Sequence, residues 1–471
     1  MGREPERGEG VERARRERIE RGRLTAEALV REVEGGRIDT VVTVIPDLYG
    51  RLVGKRIHAP FFLDEVVGHG MHVCDYLLAC DMEMDPTPGY AFTNWASGYG
   101  DLRAVPDLRS LRNAAWLDRS AVVVCDCVDD ESESLIDVAP RSVLRRQLER
   151  LAAAGYTAKM GSELEFFLFK DTFSEARAKH YHDLRTAGEY VEDYHVLSGT
   201  FAEPVVGAIR RLVDASGIPV EFSKGEWGPG QHEINLRYAE ALEMADRHVL
   251  YKTAAKEIAA ARGHSLTFMA KWNAAHAGSS LHVHMSLWNE HDQPVFAAAG
   301  DPSPTFRHFL GGLLAHAREL TWFLAPTVNS YKRYREGTFA PTRLVWSVDN
   351  RTAGFRVVGR GPSLRVECRV PGADANPYLV YAALLAAGLD GIERKLDPGP
   401  PFAGDAYQGG DLPRVPHAMA EAIALLEGGA FARKAFGDAV VDHVLHFART
   451  ELACYETAVT DFERARYFER I

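Results

Sequence analysis

Cysteine is scarce in this chain, basic charge is in deficit and long apolar runs are missing, and each shortage removes a class of protein. Six cysteines in 471 residues, at 74, 80, 125, 127, 368 and 454, are too sparse for a disulfide framework. Cys125 and Cys127 also lack the two-residue spacer of zinc and redox motifs. A reducing, cytoplasmic setting fits. No apolar run approaches the roughly 20 residues of a membrane-spanning helix, so no membrane partner is expected. Asp and Glu outnumber Lys and Arg by 66 to 55, and a net charge of −11 argues against a nucleic-acid binder, whose phosphate-tracking surface needs a basic excess. Small ligands are the better expectation. Residues 1–23 form a mixed Arg and Glu tail, with neither the apolar stretch of a secretory signal nor the acid-poor character of an organellar one. There is no short-period repeat and no low-complexity tract.

What remains is an ordinary globular composition, 46% hydrophobic and 26% charged, in a chain long enough for two domains. The pattern predicts an α+β fold. Residues 24–128 read as a small domain, with a helix near Thr25 to Glu34, extended segments over Ile38 to Ile45 and through Arg56, and a buried β-branched strand at Ala121 to Val128. The acidic stretch within 129–139 reads as an exposed link. A larger domain, 140–471, opens on a helix from Pro140 with Leu144, Leu148 and Leu151 at helical spacing.

The most informative run is Gly161-Ser162-Glu163-Leu164-Glu165-Phe166-Phe167-Leu168-Phe169. As a strand, it places Glu163 and Glu165 on one face and Leu164, Phe166 and Leu168 on the other, so both faces look buried. Two neighbouring carboxylates out of water repel and need a cation; oxygen ligands on a rigid strand suit Mg2+ or Mn2+. Taken alone, the pair reads equally as an edge strand whose glutamates meet solvent or arginine. Four further segments add ligand chemistry. In Gly225-Glu226-Trp227-Gly228-Pro229-Gly230-Gln231-His232-Glu233 a tight turn can bring two glutamates to one point, with Trp227 partly buried. In Ala277-Gly278-Ser279-Ser280-Leu281-His282-Val283-His284-Met285-Ser286 the histidines share a strand face. Asn329-Ser330-Tyr331-Lys332-Arg333 leads into Glu336-Gly337-Thr338-Phe339-Ala340-Pro341. Arg351 and Arg356 precede a strand on which Arg365, Glu367 and Arg369 share a face, a pattern suited to phosphate, carboxylate or a structural ion pair.

Together and in this order, with Asp374-Ala375-Asn376-Pro377-Tyr378-Leu379 downstream, these segments resemble the glutamine synthetase superfamily, type I-like, over nearly the whole chain. The resemblance implies a β-grasp-like N-terminal domain and a catalytic domain whose antiparallel sheet forms a partial barrel with surrounding helices. It implies ATP and two Mg2+ or Mn2+ ions per active site, with Glu165, Glu226 and Glu233 on one ion and Glu163, His282 and Glu367 on the other. His284 and Ser286 match positions beside the nucleotide. Arg351 and Arg356 match arginines that stabilise the transferring phosphoryl group, and Gly278, Arg333 and Arg369 match positions that hold glutamate. Asp47 matches an aspartate that reaches a neighbouring subunit's site, which implies a homo-oligomer, a dodecamer of two stacked hexamers.

Two departures bear on the reaction. Phe339 stands where family members carry a glutamate that closes the site and helps deprotonate ammonium, and Ala277 stands where they typically carry asparagine. Both resemble the branch that joins glutamate to organic amines such as polyamines or ethanolamine. The leading expectation is therefore an ATP-dependent glutamate–amine ligase acting through γ-glutamyl phosphate. A synthetase using ammonia and a non-catalytic scaffold are the alternatives, and retention of all six metal-ligand positions speaks against the scaffold. A glycosidase built on the paired acids is disfavoured by the histidines and arginines behind them. Tyr407 reads as a surface tyrosine.

Overall fold

The computed structural model describes residues 21–471, so the expectation of a charged tail lies mostly outside the described residues. Two sheets organise the chain. The first contains β1 (Thr40–Pro46), β2 (Leu52–His58), β3 (Met71–Cys74), β4 (Asp101–Pro106), β5 (Arg112–Asn113) and β6 (Ser120–Val128), in the order β2-β1-β6-β4-β3 with β5 beside β6. Its Val- and Ile-rich centre pairs β1 antiparallel to β2 through the turn at 47–50 and parallel to β6, the arrangement of a β-grasp. Leu29, on the helix Ala26–Glu34, packs with Val41, Ile45, Val123 and Cys125 into a small core. After β6, residues 129–134 are exposed, whereas Ile136 and Val138 turn inward and join that core.

The second sheet contains β7 (Thr157–Phe169), β8 (Val220–Gly225), β9 (Gln231–Leu236), β10 (Ala239–Glu240), β11 (Ser265–Thr267) and β12 (Leu281–Trp288). After a short hairpin, β13 (Ala297–Ala298) and β14 (Asp301–Pro302), it is completed by β15 (Trp346–Val348), β16 (Phe355–Val358) and β17 (Arg365–Cys368). Its order is β15-β16-β17-β12-β7-β9-β8, with β10 and β11 also paired to β7, and it curls into a partial barrel clad by helices. Leu164, Phe166 and Leu168 point into the main core, which frees the opposite face of β7 for the acids. The helix Pro377–Arg394 is apolar nearly all round and is buried along its length, as such a helix must be. Among the described residues, no helix is long and apolar enough to cross a membrane.

A buried charge cluster joins the two sheets. Arg141, at the start of the helix Pro140–Ala153, is 2% exposed; it donates to Asp246 at 2.8 and 3.0 Å and to Asp107 at 2.9 Å, and also pairs with Asp126. Asp107 and Asp126 belong to the N-terminal half, and Asp246 lies on the helix Ala241–Ala261. This clamp fixes the small sheet against the large one.

Candidate active site

Strand register assembles the site. Glu163 of β7 lies opposite His282 of β12, and Glu165 lies opposite Glu233 of β9. Across β12, His284 pairs with Glu367 of β17, and Glu367 in turn pairs with Arg356 of β16. The turn between β8 and β9 returns Glu226, so Glu165, Glu226 and Glu233 each offer an oxygen within 4.8 Å of the others. Glu163, Glu233 and His282 form a second set of that kind, and Glu163, His284 and Glu367 a third. Nδ1 of His282 is 3.4 Å from Glu163 and 3.6 Å from Glu367. All six expected ligand positions therefore converge. His284, expected beside the nucleotide, also meets Glu163 through Nε2 at 2.8 Å while its Nδ1 accepts from Arg365 at 3.1 Å.

The electrostatics of these acids fit divalent cations. Glu165 accepts from Ser280 Oγ at 2.6 Å, the Ser280 N–H at 2.9 Å and Gln231 Nε2 at 3.0 Å. Burial and the neighbouring Glu226 nevertheless push it up to about 7. Burial, then Glu226, raises Glu233 well above the usual carboxylate range, and burial raises Glu226 despite its pairing with Lys224. Lys224 and Arg333 offset this crowding of acids only in part. Burial opposes ionisation of Glu163 too, but hydrogen bonds from His282 and His284 prevail and hold it low. Glu367 is fully buried, and Arg369 and His282 outweigh that burial to hold it at about 2. Burial, then Arg369, lowers His282 to about 4, which leaves its imidazole neutral and able to ligate at pH 7.

These residues line a cleft of about 320 Å³. Gly278 lies on its wall, where a Cβ would sit 2.4 Å from Cγ of Arg333 and 2.6 Å from the Ala270 carbonyl, so only glycine lets the arginine pass. Arg333 is 2% exposed and donates to the Pro371 carbonyl at 3.0 Å; Arg369 is 4% exposed and pairs with Glu367. Nε of each is buried with no partner among the described residues, a donor pair suited to an anionic ligand. Arg351 is exposed at the same cleft, and Arg356 donates to Glu367 at 2.9 Å. An adjoining cavity of about 520 Å³ shares Glu163 and Asn235 with the first and is lined by His284, Ser286, Tyr238, Trp288 and Arg365. Oγ of Ser286 accepts from Trp288 Nε1 at 3.0 Å.

Phe339 stands at the cleft mouth, 48% exposed, with φ of 59°, a left-handed conformation that a bulky side chain rarely adopts. Its ring meets Trp227 edge to face at 5.9 Å. Trp227 is 50% exposed, so the partial burial expected from its apolar neighbours gives way to a place on the rim. Tyr407 corrects the sequence reading more sharply: it is buried, and its hydroxyl donates to the Ala340 carbonyl at 3.1 Å, bracing the loop that carries Phe339. Asp47 is not brought to the cleft of its own chain. Its carboxylate is buried in the 47–50 turn, where the Arg51 N–H donates at 2.8 Å and Arg51 Nε at 2.6 Å, and Asn376 anchors its carbonyl at 3.0 Å.

Sequence reasoning left out several cleft residues. Lys224 shares a strand face with Glu226, a period-two signal that was available. Gln231 and Ser280 sat inside quoted motifs without a role. Phe222 shares that face with Lys224 and carried the same signal, whereas Asp193 and Tyr194 carried none, because only folding brings their segment to the cleft.

Residues 137–467 match the model of the glutamine synthetase catalytic domain. The chain is 48% identical over 448 residues to a γ-glutamylethanolamide synthetase, GlnA4, of Streptomyces coelicolor, covering 95% of this chain and 96% of that protein. It is 36% identical to a glutamate–isopropylamine ligase of a Pseudomonas species, over 93% of this chain and 97% of the relative. The solved structure of ligand-free GmaS superposes with a TM-score of 0.81 at 30% identity, over 94% of this chain and 99% of the other. With one curled sheet that assembles acids, histidines and arginines in the register described, and matches that span nearly its full length, this chain belongs to the glutamine synthetase family and is a ligase.

Proposed function

We propose that the protein joins the γ-carboxylate of glutamate to a small organic amine, using ATP to form γ-glutamyl phosphate. Both relatives described above are named for ligation of a small amine, ethanolamine or isopropylamine, and that supports the choice of acceptor. The single observation that carries the reading is the Phe339–Trp227 pair at the mouth of a cleft whose floor is a carboxylate cluster. An apolar lip suits an amine with a carbon tail and has no carboxylate to draw in ammonium.

The residues divide the work. Glu165, Glu226 and Glu233 would hold one divalent ion, and Glu163, His282 and Glu367 the other. Bound there, such ions supply Lewis acidity and neutralise phosphoryl charge. His284 and Ser286 line the adjoining cavity, which would take the nucleotide, and Arg351 and Arg356 provide guanidinium donors for charge that builds on the transferring phosphoryl oxygens. Gly278, Arg333 and Arg369 fix glutamate so that its side-chain carboxylate, rather than its α-carboxylate, reacts. Asp47 would act from its own chain in a neighbouring site within a dodecamer of stacked hexamers. We assign a small domain to 24–128 and a catalytic domain to 140–471, with 129–139 as the link between them, and a cytoplasmic setting.

The test is phosphate release dependent on ATP and glutamate, with ammonium, ethanolamine, isopropylamine and putrescine supplied in parallel at saturating Mg2+ or Mn2+. Release with one or more organic amines at least tenfold above ammonium supports the reading. Equal or better turnover with ammonium returns the protein to glutamine synthesis.

A further inference from the structure

The run Asp374-Ala375-Asn376-Pro377 stands out in the sequence, yet none of its residues lines the cleft. Asn376 caps the helix Pro377–Arg394 at the Tyr378 N–H and anchors the 47–50 turn. Asp374 points elsewhere, to the segment that leads into Arg333.

That segment, residues 327–333, ends in the helical turn Ser330–Arg333, which is too short to hold its shape unaided. Thr327 and Ser330 brace it locally: the Ser330 N–H donates to Thr327 Oγ1 at 3.2 Å, and the Thr327 N–H donates to Ser330 Oγ at 3.1 Å. Both hydroxyls then donate to one oxygen of Asp374, Oδ2, at 2.7 Å from Thr327 and 2.6 Å from Ser330. A carboxylate accepts without donating, so it takes both at once, and hydrogen bonds to a charged acceptor are the strong ones. Ser330 is buried, where a lost acceptor is not made good by bulk water.

Asp374 is itself held in place. A Cβ on Gly372 would lie 2.4 Å from Asp374 Oδ1, so a side chain there would displace the carboxylate. The Ala373 carbonyl accepts from Lys252 Nζ at 2.9 Å, the Ala373 N–H donates to the Ser279 carbonyl at 3.1 Å, and the Leu281 N–H donates to the Pro371 carbonyl at 3.0 Å. That same Pro371 carbonyl accepts from Arg333. The short helical turn is thus pinned to 371–374 at both ends, Ser330 through the Asp374 carboxylate and Arg333 through a backbone carbonyl.

This inference rests on the placement of glutamate at Arg333 and deepens it: we infer that Asp374 is a positioning residue for the glutamate site, whose carboxylate fixes the 327–330 turn and through it the reach of the Arg333 guanidinium. Arg333 then meets a substrate carboxylate without first having to be ordered, and pre-ordering of that kind favours both binding and correct orientation. The adjoining cavity, which would take the nucleotide, is lined by neither segment, so the effect of Asp374 falls on glutamate rather than on ATP.

The experiment compares wild type, Asp374→Ala, Asp374→Asn, Ser330→Ala, the double variant Asp374→Ala/Ser330→Ala, and Arg333→Gln, all as full-length protein. Glutamate and ATP are varied in turn with Mn2+ and whichever acceptor, ammonium or ethanolamine, wild type turns over faster. Asp374→Ala should raise KM for glutamate by about tenfold, the scale of a guanidinium misplaced by part of an ångström, with KM for ATP within about twofold of wild type. Asp374→Asn keeps a side-chain oxygen to accept both hydroxyls and should bring KM for glutamate back to within about threefold of wild type. Ser330→Ala removes one hydroxyl from the other side of the contact and should raise KM for glutamate by about threefold; in the Asp374→Ala background it should add little, because both changes break one interaction. A glutamate KM within about twofold of wild type in both Asp374→Ala and Ser330→Ala overturns the inference. So does an equal rise in KM for ATP, which marks a general loss of structure, or an Asp374→Asn variant as poor as Asp374→Ala. If Asp374→Ala does not fold, Ser330→Ala and Asp374→Asn decide the matter by the same split between glutamate and ATP. An unchanged glutamate KM in Arg333→Gln instead removes the placement of glutamate at Arg333, and this inference with it.

Discussion

Glu165 of β7 and Glu233 of β9 face each other across an antiparallel ladder, carboxylate opposite carboxylate, and Glu226 closes the triangle from the turn that precedes β9. Like charges directly opposite on a sheet destabilise it unless something positive lies between them. Glu233→Gln should therefore make the metal-free protein more stable, by on the order of 1 kcal/mol, and abolish most of the stabilisation that Mn2+ gives wild type. Thermal melts with and without Mn2+ read both effects, and ligase activity should fall by at least about 100-fold. A variant stabilised by Mn2+ as strongly as wild type would remove Glu233 from the ligand set.

The same crowding sets a pH dependence. Glu165 titrates at about 7 in the folded, metal-free protein, above its ordinary value of roughly 4.3 when unfolded. A raised carboxyl binds more protons folded than unfolded, so its contribution to stability is full below about pH 4.3 and is lost as pH rises through 7. The metal-free melting temperature should drop between pH 5.5 and 8. Over the same range the upward shift caused by Mn2+ should grow, because the cation no longer has to displace a proton.

Gly278→Ala tests the glutamate grip. The added methyl meets Arg333 and the Ala270 carbonyl, and the guanidinium has to move. KM for glutamate should rise by about tenfold or more with KM for ATP little changed, since a misplacement near 1 Å is costly in a positioned site. An unchanged glutamate KM would detach Arg333 from that substrate.

Phe339→Glu restores the carboxylate that family members carry at this point of the loop. The ratio of kcat/KM for ammonium to that for ethanolamine should rise by about tenfold, or 1.4 kcal/mol. The loop is already held in place by Tyr407 and by the Arg369 contact to the Phe339 carbonyl at 3.4 Å, so the change acts on chemistry rather than on folding. An unchanged amine profile removes Phe339 from the specificity argument.

Arg141→Met tests the clamp between the sheets. It strands Asp107, Asp126 and Asp246 around an uncharged side chain, and breaking a buried pair in this way costs about 3–5 kcal/mol. Arg145 still reaches Asp107 and Asp126 at 2.8 Å, which places the expected loss toward the lower end. Denaturant unfolding measures it, and a loss under about 1 kcal/mol would mean the clamp does not hold the sheets together.

Residues on regular strands were legible before folding, because alternation with period two assigns a face without any tertiary information. That rule placed Glu163 with Glu165, His282 with His284, and Arg365 with Glu367 and Arg369, and the family resemblance then grouped them across the sequence. It missed that His284 turns its other nitrogen to Glu163, since a shared face does not say which acid a ring meets. Tyr407 and Trp227 were misjudged for a related reason. Burial of a loop residue depends on what packs over it, and the two are exchanged here: the tyrosine lies beneath a loop and the tryptophan lines a rim.

The sequence by itself determined the chemistry available to this protein, which is a set of oxygen and imidazole ligands on strands, arginines beyond them, and a phenyl ring where a carboxylate is usual. Tertiary structure alone decided which distant segments line the cleft. Asp193 shares a cleft with Phe339, 146 residues away, and its neighbours in sequence give no hint of that. Buried Glu192, the close approach at Gly225 and one backbone hydrogen bond to Glu226 bring it there. Such contacts form only when separate strands and loops close on one another, whereas facing along a strand is written into the spacing of residues.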